Sequence, residues 1–130
     1  MRRNCFEVDR SSSGHKILYV DEQNAEEILE YLEQDNRHNK KYRYIKNIIF
    51  DDHRIPELYD KEDISEKAKD VTAMKFFKGQ ENDRIYCKEY HGDVLRIVMA
   101  RLEERKKVEG IDTKFKNIIE SVGGYEYDFK

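Results

Sequence analysis

Two adjacent runs, "DRIYCKEY" and "DVLRIVMARL", contain the residues whose types and spacing could do chemistry. Alternate residues of a strand point to the same face of a sheet. The pattern therefore predicts one face that carries three cations and a tyrosine: Arg84, Tyr86, Lys88 and Arg96. Guanidinium groups bind phosphate oxygens and tyrosine rings stack on bases. A cation near a scissile phosphate also stabilises the charge of the transition state, so this face is a candidate for binding and cleaving RNA.

The same pattern has a simpler interpretation. The solvent face of an antiparallel sheet is polar, and Glu89, Asp93 or Glu103 could pair with these cations. Lys75 alternates with apolar neighbours in the preceding run, so it can join the face. The basic end of "LEERKK", which holds Arg105, Lys106 and Lys107, is either a solvated strand end or a guide for an RNA backbone.

The opposite face of these strands is predicted to be apolar and buried. It is formed by five residues: Ile85, Cys87, Leu95, Ile97 and Met99. Because side chains alternate with a period of two, a slip of one residue in register would exchange the two faces. The register is therefore the first property that coordinates can test.

Turn signals and apolar periodicity give the order of elements that must position these strands. Strands are predicted at "RNCFEVDR" and "KILYV", followed by helices at "NAEEILEYLEQ" and around residues 42–49, with "DNRHNK" as a loop between them. Three strands then form a meander: "VTAMKFF", "DRIYCKEY" and "DVLRIVMARL". The helix "DTKFKNIIESVGG" and the tail at 125–130 close the chain. Helices grouped apart from a meander indicate an α+β fold.

Length and composition restrict the class of protein. The 130 residues fit one domain, residues 1–130, and carry a net charge of −3 with most of the acidic excess in the first half. Cys5 and Cys87 are too far apart in sequence to suggest a zinc site or a disulfide framework, and "FDDHR" is better explained as a polar helix end than as a metal site. No cofactor or metal is predicted. "MRRNC" lacks the apolar segment of a signal peptide, so a cytoplasmic location is expected.

The element order, "DRIYCKEY", "LRIVMARLEERKK" and the terminal "YEYDF" together resemble the RelE/HigB superfamily of type II toxin–antitoxin toxins over roughly residues 15–130. The resemblance implies an α+β, RelE-like fold with two N-terminal helices packed on a small twisted antiparallel sheet and a C-terminal helix. Residues 1–15 would then be an extra strand or arm, and residues 125–130 a C-terminal tail.

The resemblance also implies a function. Such toxins are metal-independent mRNA endoribonucleases, often ribosome-dependent, and a cognate antitoxin protein holds them inactive. Arg84 matches the arginine that contacts the scissile phosphate, Lys75 and either Arg101 or Arg105 match basic positions, and Tyr125 or Tyr127 matches the C-terminal tyrosine. The expected catalytic set is Arg84, Lys88, Arg96, Tyr125 and Tyr127, and the expected RNA-binding set is Lys75, Tyr86, Arg101, Arg105, Lys106 and Lys107.

The chain departs from the family pattern in its acidic balance and in the two glutamates of "LEERKK". These departures favour an alternative, a catalytically inactive protein-binding module. The resemblance implies a further alternative, a ParE-like inhibitor of DNA gyrase, since related toxins act on that enzyme. His91 lies at the tip of the predicted hairpin beside the basic face and is a further candidate for a general base.

Overall fold

Ten helices and strands make up the part of the chain that the computed structural model describes, which is residues 2–62, 64–104 and 112–129. In chain order they are β1 (Arg2–Arg10), β2 (Lys16–Asp21), α1 (Ala25–Glu33), α2 (Asn36–Phe50), β3 (Tyr59–Lys61), β4 (Val71–Phe76), β5 (Asp83–Tyr90), β6 (Leu95–Glu103), α3 (Asp112–Gly123) and β7 (Glu126–Asp128). A short 3-10 helix, Glu66–Ala68, precedes β4.

All seven strands belong to one mixed sheet in the order β3-β4-β5-β6-β2-β1-β7. β2 runs parallel to β6, and β1 runs parallel to β7. The protein is therefore α+β, but the predicted RelE-like arrangement of two N-terminal helices on a small antiparallel sheet is wrong. Two strands precede the helices, and the tail supplies a third that was not predicted. Parallel partners lie far apart in sequence and no turn joins them, so local patterns do not reveal them.

Helices cover both faces of the sheet. On one face α1 and α2 pack on a core that includes Leu18, Val20, Met74, Ile85, Cys87, Ile97 and Met99. On the other face α3 and the 3-10 helix pack on a second core that includes Ile17, Val71, Ala73, Tyr86, Val98 and Ala100. The central strands are consequently buried on two sides, which explains why β4 and β6 read as nearly continuous apolar runs.

The N-terminus of α2 is set by Asp35. Its carboxylate accepts a hydrogen bond of 2.8 Å from the backbone N–H of His38, which satisfies one of the donors left free at a helix start. The helix therefore begins at Asn36, and most of "DNRHNK", predicted as a loop, is helical. The polar segment "DNRHNK" has no apolar period to indicate a helix. Its N-terminal boundary is instead fixed by the cap at Asp35.

The predicted register of the meander is confirmed. Ile85, Cys87, Ile97 and Met99 lie in the core beneath α1 and α2, and Leu95 packs against it. Arg84, Tyr86 and Lys88 alternate with them and so point to the opposite face. A register shift between Tyr86 and Cys87 adds one residue to β6 at this point, and both strands keep their buried faces across it.

The buried carboxylate of Asp21 joins both termini to the middle of the sheet. It accepts hydrogen bonds of 2.6 Å from Arg3 Nε and from the hydroxyl of Tyr127, and one of 2.8 Å from the backbone N–H of Gln23. Asp21 is fully buried and Arg3 nearly so. Burying a carboxylate is costly unless it is paired and hydrogen-bonded, and these contacts hold β1, β2 and β7 in one arrangement.

Gly123→Ala should destabilise the fold by at least about 3 kcal/mol, because overpacking a close contact between backbones cannot be relieved by side-chain movement. A Cβ at this position would lie 1.8 Å from the carbonyl oxygen of Lys67 in the 3-10 helix. The neighbouring Gly124→Ala is the matched control, since its Cβ would lie 3.5 Å from the nearest atom. Urea unfolding of both variants measures the difference, and equal midpoints would contradict the α3 packing.

Candidate functional site

The face that carries the predicted RNA-binding residues lies beneath α3. Tyr86 is completely buried, and Ile118, Ile119 and Val122 of α3 pack into the same core. Burying one such aliphatic side chain stabilises a fold by roughly 1.5–3 kcal/mol. Detaching α3 from the sheet would expose all three, so the helix is an integral part of the fold and covers this face.

Lys88 acts as a cap for α3. Its ammonium donates a hydrogen bond of 3.0 Å to the carbonyl oxygen of Gly123 and another to that of Tyr125. These carbonyls lie at or just beyond the helix C-terminus, where a cation is favoured. Burial lowers the pKa of Lys88, which also indicates a group withdrawn from solvent.

The other predicted cations of the face also have partners inside the protein. Arg84 is paired through Nη1 with Glu62 at 2.5 Å, and its Nε is buried without an acceptor among the described residues. Arg96 Nε donates to the hydroxyl of Tyr19 at 3.3 Å. Lys75 donates to the carbonyl oxygen of Pro56 at 2.9 Å.

The remaining predicted residues do not join these cations in a cavity. Arg101 pairs with Glu103 at 3.1 Å, and the ring of Tyr125 lies 4.1 Å below the guanidinium of Arg3. Tyr127 is buried, with its hydroxyl on Asp21. Arg105, Lys106 and Lys107 lie outside the described residues. Some of the predicted residues thus share one face of the sheet. Those that the structure describes contact other parts of the protein and do not line a common cavity.

A cleft with different residues opens at the end of the sheet where β5 finishes and β4 and β6 begin. It consists of two adjoining cavities, of about 230 and 220 Å³, that share the lining residues Lys61, Thr72 and Glu89. The C-terminal turn of α2 closes the first cavity with Ile49 and Asp52. The second contains His91 and Lys69.

A chain of hydrogen bonds runs through this cleft. The hydroxyl of Thr72 donates to that of Tyr59 at 2.7 Å, and Tyr59 donates to Glu89 Oε2 at 2.5 Å. The other carboxylate oxygen, Oε1, lies 3.0 Å from Nε2 of His91. Burial raises the pKa of Tyr59 well above its usual range, so the phenol keeps its proton and donates it.

Glu89 is nearly buried, whereas the imidazole of His91 is 62% exposed. Nε2 of the ring therefore lies against the carboxylate, and most of the imidazole is open to solvent. A histidine held in this way is suited to accept a proton from a bound molecule. The arrangement supplies an oriented general base at the mouth of a cavity.

Positive charge is available beside this base. Neither Lys61 nor Lys69 forms an ion pair with any residue of the described ranges. Lys16, which lines the other cavity, is already engaged by Asp52 and by the carbonyl oxygen of Ile49. Among the lysines that line the cleft, Lys61 and Lys69 are thus the two that no residue of the described ranges pairs with.

His91 was predicted as a candidate general base and Glu89 only as an ion-pair partner of the cations, whereas Tyr59 and Thr72 were not predicted at all. One signal was present: in β5 the core-facing positions read Ile85, Cys87 and Glu89, so an acid stands where an apolar residue is expected. A buried carboxylate requires donors, and His91 two residues later is the nearest candidate. Tyr59 and Thr72 come from other strands and have no local signal.

A further cavity, of about 500 Å³, lies along α1. Its lining is Gln23, Glu26, Glu27, Glu30, Tyr31, Gln34 and Glu104. Four glutamates give it a negative potential, which repels nucleic acid. Across residues 2–62, 64–104 and 112–129, no three His, Cys, Asp or Glu side chains are grouped so as to hold a metal ion.

Comparison of the chain with known protein families, with curated proteins and with solved structures finds no match. Its function must therefore be argued from its own residues. No helix among the described residues is both long enough and apolar enough to cross a membrane.

Lys88→Met should lower the free energy of unfolding by about 1.5–3 kcal/mol, the range for a hydrogen bond to a charged group. The methionine keeps the volume of the side chain but removes the donor to Gly123 and Tyr125. The control is Lys114→Met on the exposed side of α3. Urea unfolding should separate the two variants, and equal stability would contradict a capping role for Lys88.

Proposed function

We propose that this chain is a metal-independent mRNA endoribonuclease that works in the cleft between β3, β4 and β5. One observation carries the proposal: nearly buried Glu89 holds exposed His91 at 3.0 Å beside two lysines without ion-pair partners among the described residues. Cleavage of RNA through its own 2′-hydroxyl requires a base and positive charge near the phosphate. The cleft brings these groups together.

The chemical step follows from the orientation of His91. Nε2 of His91 faces Glu89 Oε1 at 3.0 Å, and in the proposed step the lone pair of Nδ1 accepts the proton of a 2′-hydroxyl. The 2′-oxygen forms a bond to the adjacent phosphorus while the bond from phosphorus to the 5′-oxygen breaks. The departing oxygen takes a proton from water, and the imidazolium returns its proton to water. The products are a 2′,3′-cyclic phosphate and a 5′-hydroxyl.

Lys61 and Lys69 line the cavity that contains His91, so they can contact the phosphate under attack. Their charge opposes the negative charge that builds on the phosphate oxygens in the transition state. Tyr59 and Thr72 act through Glu89, since their hydrogen bonds fix the carboxylate that orients His91. They are positioning residues.

A cellular role follows from this activity. An enzyme that cleaves mRNA without control would stop growth, so the proposal includes a cognate antitoxin protein and a cytoplasmic location, where mRNA is translated. The two free cysteines, Cys5 and Cys87, agree with a reducing compartment. The substrate is mRNA, either free or on the ribosome.

His91→Ala should reduce the rate of RNA cleavage by about 10²- to 10⁴-fold, because it removes the general base. Glu89→Gln should reduce it less, since an amide still accepts a hydrogen bond from His91 but carries no charge. The matched control is His15→Ala, an exposed histidine that lines neither cavity. Cleavage of a labelled single-stranded RNA, with and without ribosomes, provides the rates, and mass spectrometry identifies the ends.

Intact RNA in both assays, from folded wild-type protein, would contradict the proposal. Equal rates for His91→Ala and His15→Ala would show that cleavage occurs elsewhere. A stable protein partner with unchanged RNA would instead favour the protein-binding alternative.

A further inference from the structure

The charge of α2 differs from that of the whole protein. The helix contains three lysines and two arginines and no acidic residue, while the chain has a net charge of −3. Its apolar side, with Ile45, Ile48 and Ile49, is buried against the sheet. The cations are consequently concentrated on the side that faces solvent.

Five exposed residues form a continuous stripe along this helix. They follow a spacing of three or four residues, which places them on one side: Asn36, Lys40, Arg43, Tyr44 and Asn47. Lys40 and Arg43 form no ion pair within the described ranges, whereas Arg37 is paired with Glu81 and Lys46 with Asp9. The stripe therefore offers two cations that form no ion pair with a described residue.

Tyr44 distinguishes this stripe from an ordinary solvated helix face. It is 52% exposed and stands directly beside Arg43. An exposed aromatic ring on the same side of a helix as two cations provides a stacking surface for a base next to donors for phosphates. An acidic protein partner would use the cations but has no equivalent need for the ring.

The stripe follows the solvent-facing side of α2 from Asn36 to Asn47. Ile49, which lines the first cavity, lies on the buried side of the same helix, about 13 Å along the axis from Lys40. An RNA strand bound along the stripe would therefore have to pass around the C-terminal end of α2 to reach the cleft. The charge and the exposed ring together favour single-stranded nucleic acid as the ligand.

We propose that the solvent-facing stripe of α2 binds single-stranded RNA, with Lys40 and Arg43 on phosphates and Tyr44 stacked on a base. This inference rests on the proposed endoribonuclease function, because it identifies the surface that guides the substrate of that site. It assigns recognition to a helix on the opposite side of the sheet from α3.

Binding can be measured separately from cleavage. In protein carrying His91→Ala, fluorescence anisotropy of a labelled single-stranded RNA gives the affinity between roughly 50 and 200 mM salt. Replacing both Lys40 and Arg43 with Ala should reduce the slope of log K against log salt by about 1.4, since each phosphate contact to a single strand contributes about 0.7. The matched control replaces Lys114 and Lys116, two exposed lysines of α3, with Ala.

Tyr44 provides the second measurement. Tyr44→Ala should weaken RNA binding roughly 5- to 150-fold, the equivalent of losing one stacked base. Tyr44→Phe should bind like the parent, because the ring is retained. Binding of polyglutamate, tested in parallel, should not respond to Tyr44→Ala.

The results separate this inference from the proposed function. RNA binding that depends on Lys40, Arg43 and Tyr44, in a protein that cleaves no RNA, would support the inference and contradict the endoribonuclease. Cleavage and binding that are unchanged in the α2 variants would overturn the inference alone. An equal loss of RNA and polyglutamate binding, without an effect of Tyr44→Ala, would also overturn it by identifying a docking surface for an acidic protein.

Discussion

The constraint on which the structure depends is the burial of the sheet on both faces. α1 and α2 occupy one side and α3 the other, so the central strands have no open face. Any polar side chain that points from these strands must find its partner within the protein, because an unpaired buried charge is too costly. Lys88 meets this demand with two backbone carbonyls at the end of α3, and Arg84 meets it with Glu62.

Burial on two sides also decides which side chains a ligand can reach. Side chains in the middle of the sheet are covered, and accessible ones lie where strands end or where helices face solvent. The cleft at the end of β5 is one such place, because the backbone turns there and the strands leave Glu89 and His91 at a cavity. The outer side of α2 is another. The same side chain type, a lysine, is structural at Lys88 and available to a ligand at Lys61 or Lys40.

The features that could be predicted from the sequence are those formed between residues close together in the chain. The period of two in β5 and β6 gave the correct register, because alternation is local and the hairpin that joins the strands is short. The parallel pairs of β2 with β6 and of β1 with β7 are long-range and had no signal. The cations of the meander were read as an RNA-binding face because nothing in the strand pattern reveals that α3 covers them. The basic side of α2 has no such local signal, because the apolar period that predicts a helix says nothing of what its solvent-facing side chains contact.

Glu89 is the residue whose presence the fold explains least. Its position in β5 points toward the core beside Cys87, and an apolar side chain there would avoid the cost of burying a carboxylate. The fold instead places Tyr59 of β3 and His91 of the turn after β5 against the two carboxylate oxygens, and Thr72 of β4 donates to the hydroxyl of Tyr59. Two side chains thus contact a charge that packing alone does not require. Glu89 costs the core stability and lies against an exposed imidazole. This combination is typical of a reactive site, and it is the physical argument for placing the proposed activity in the cleft.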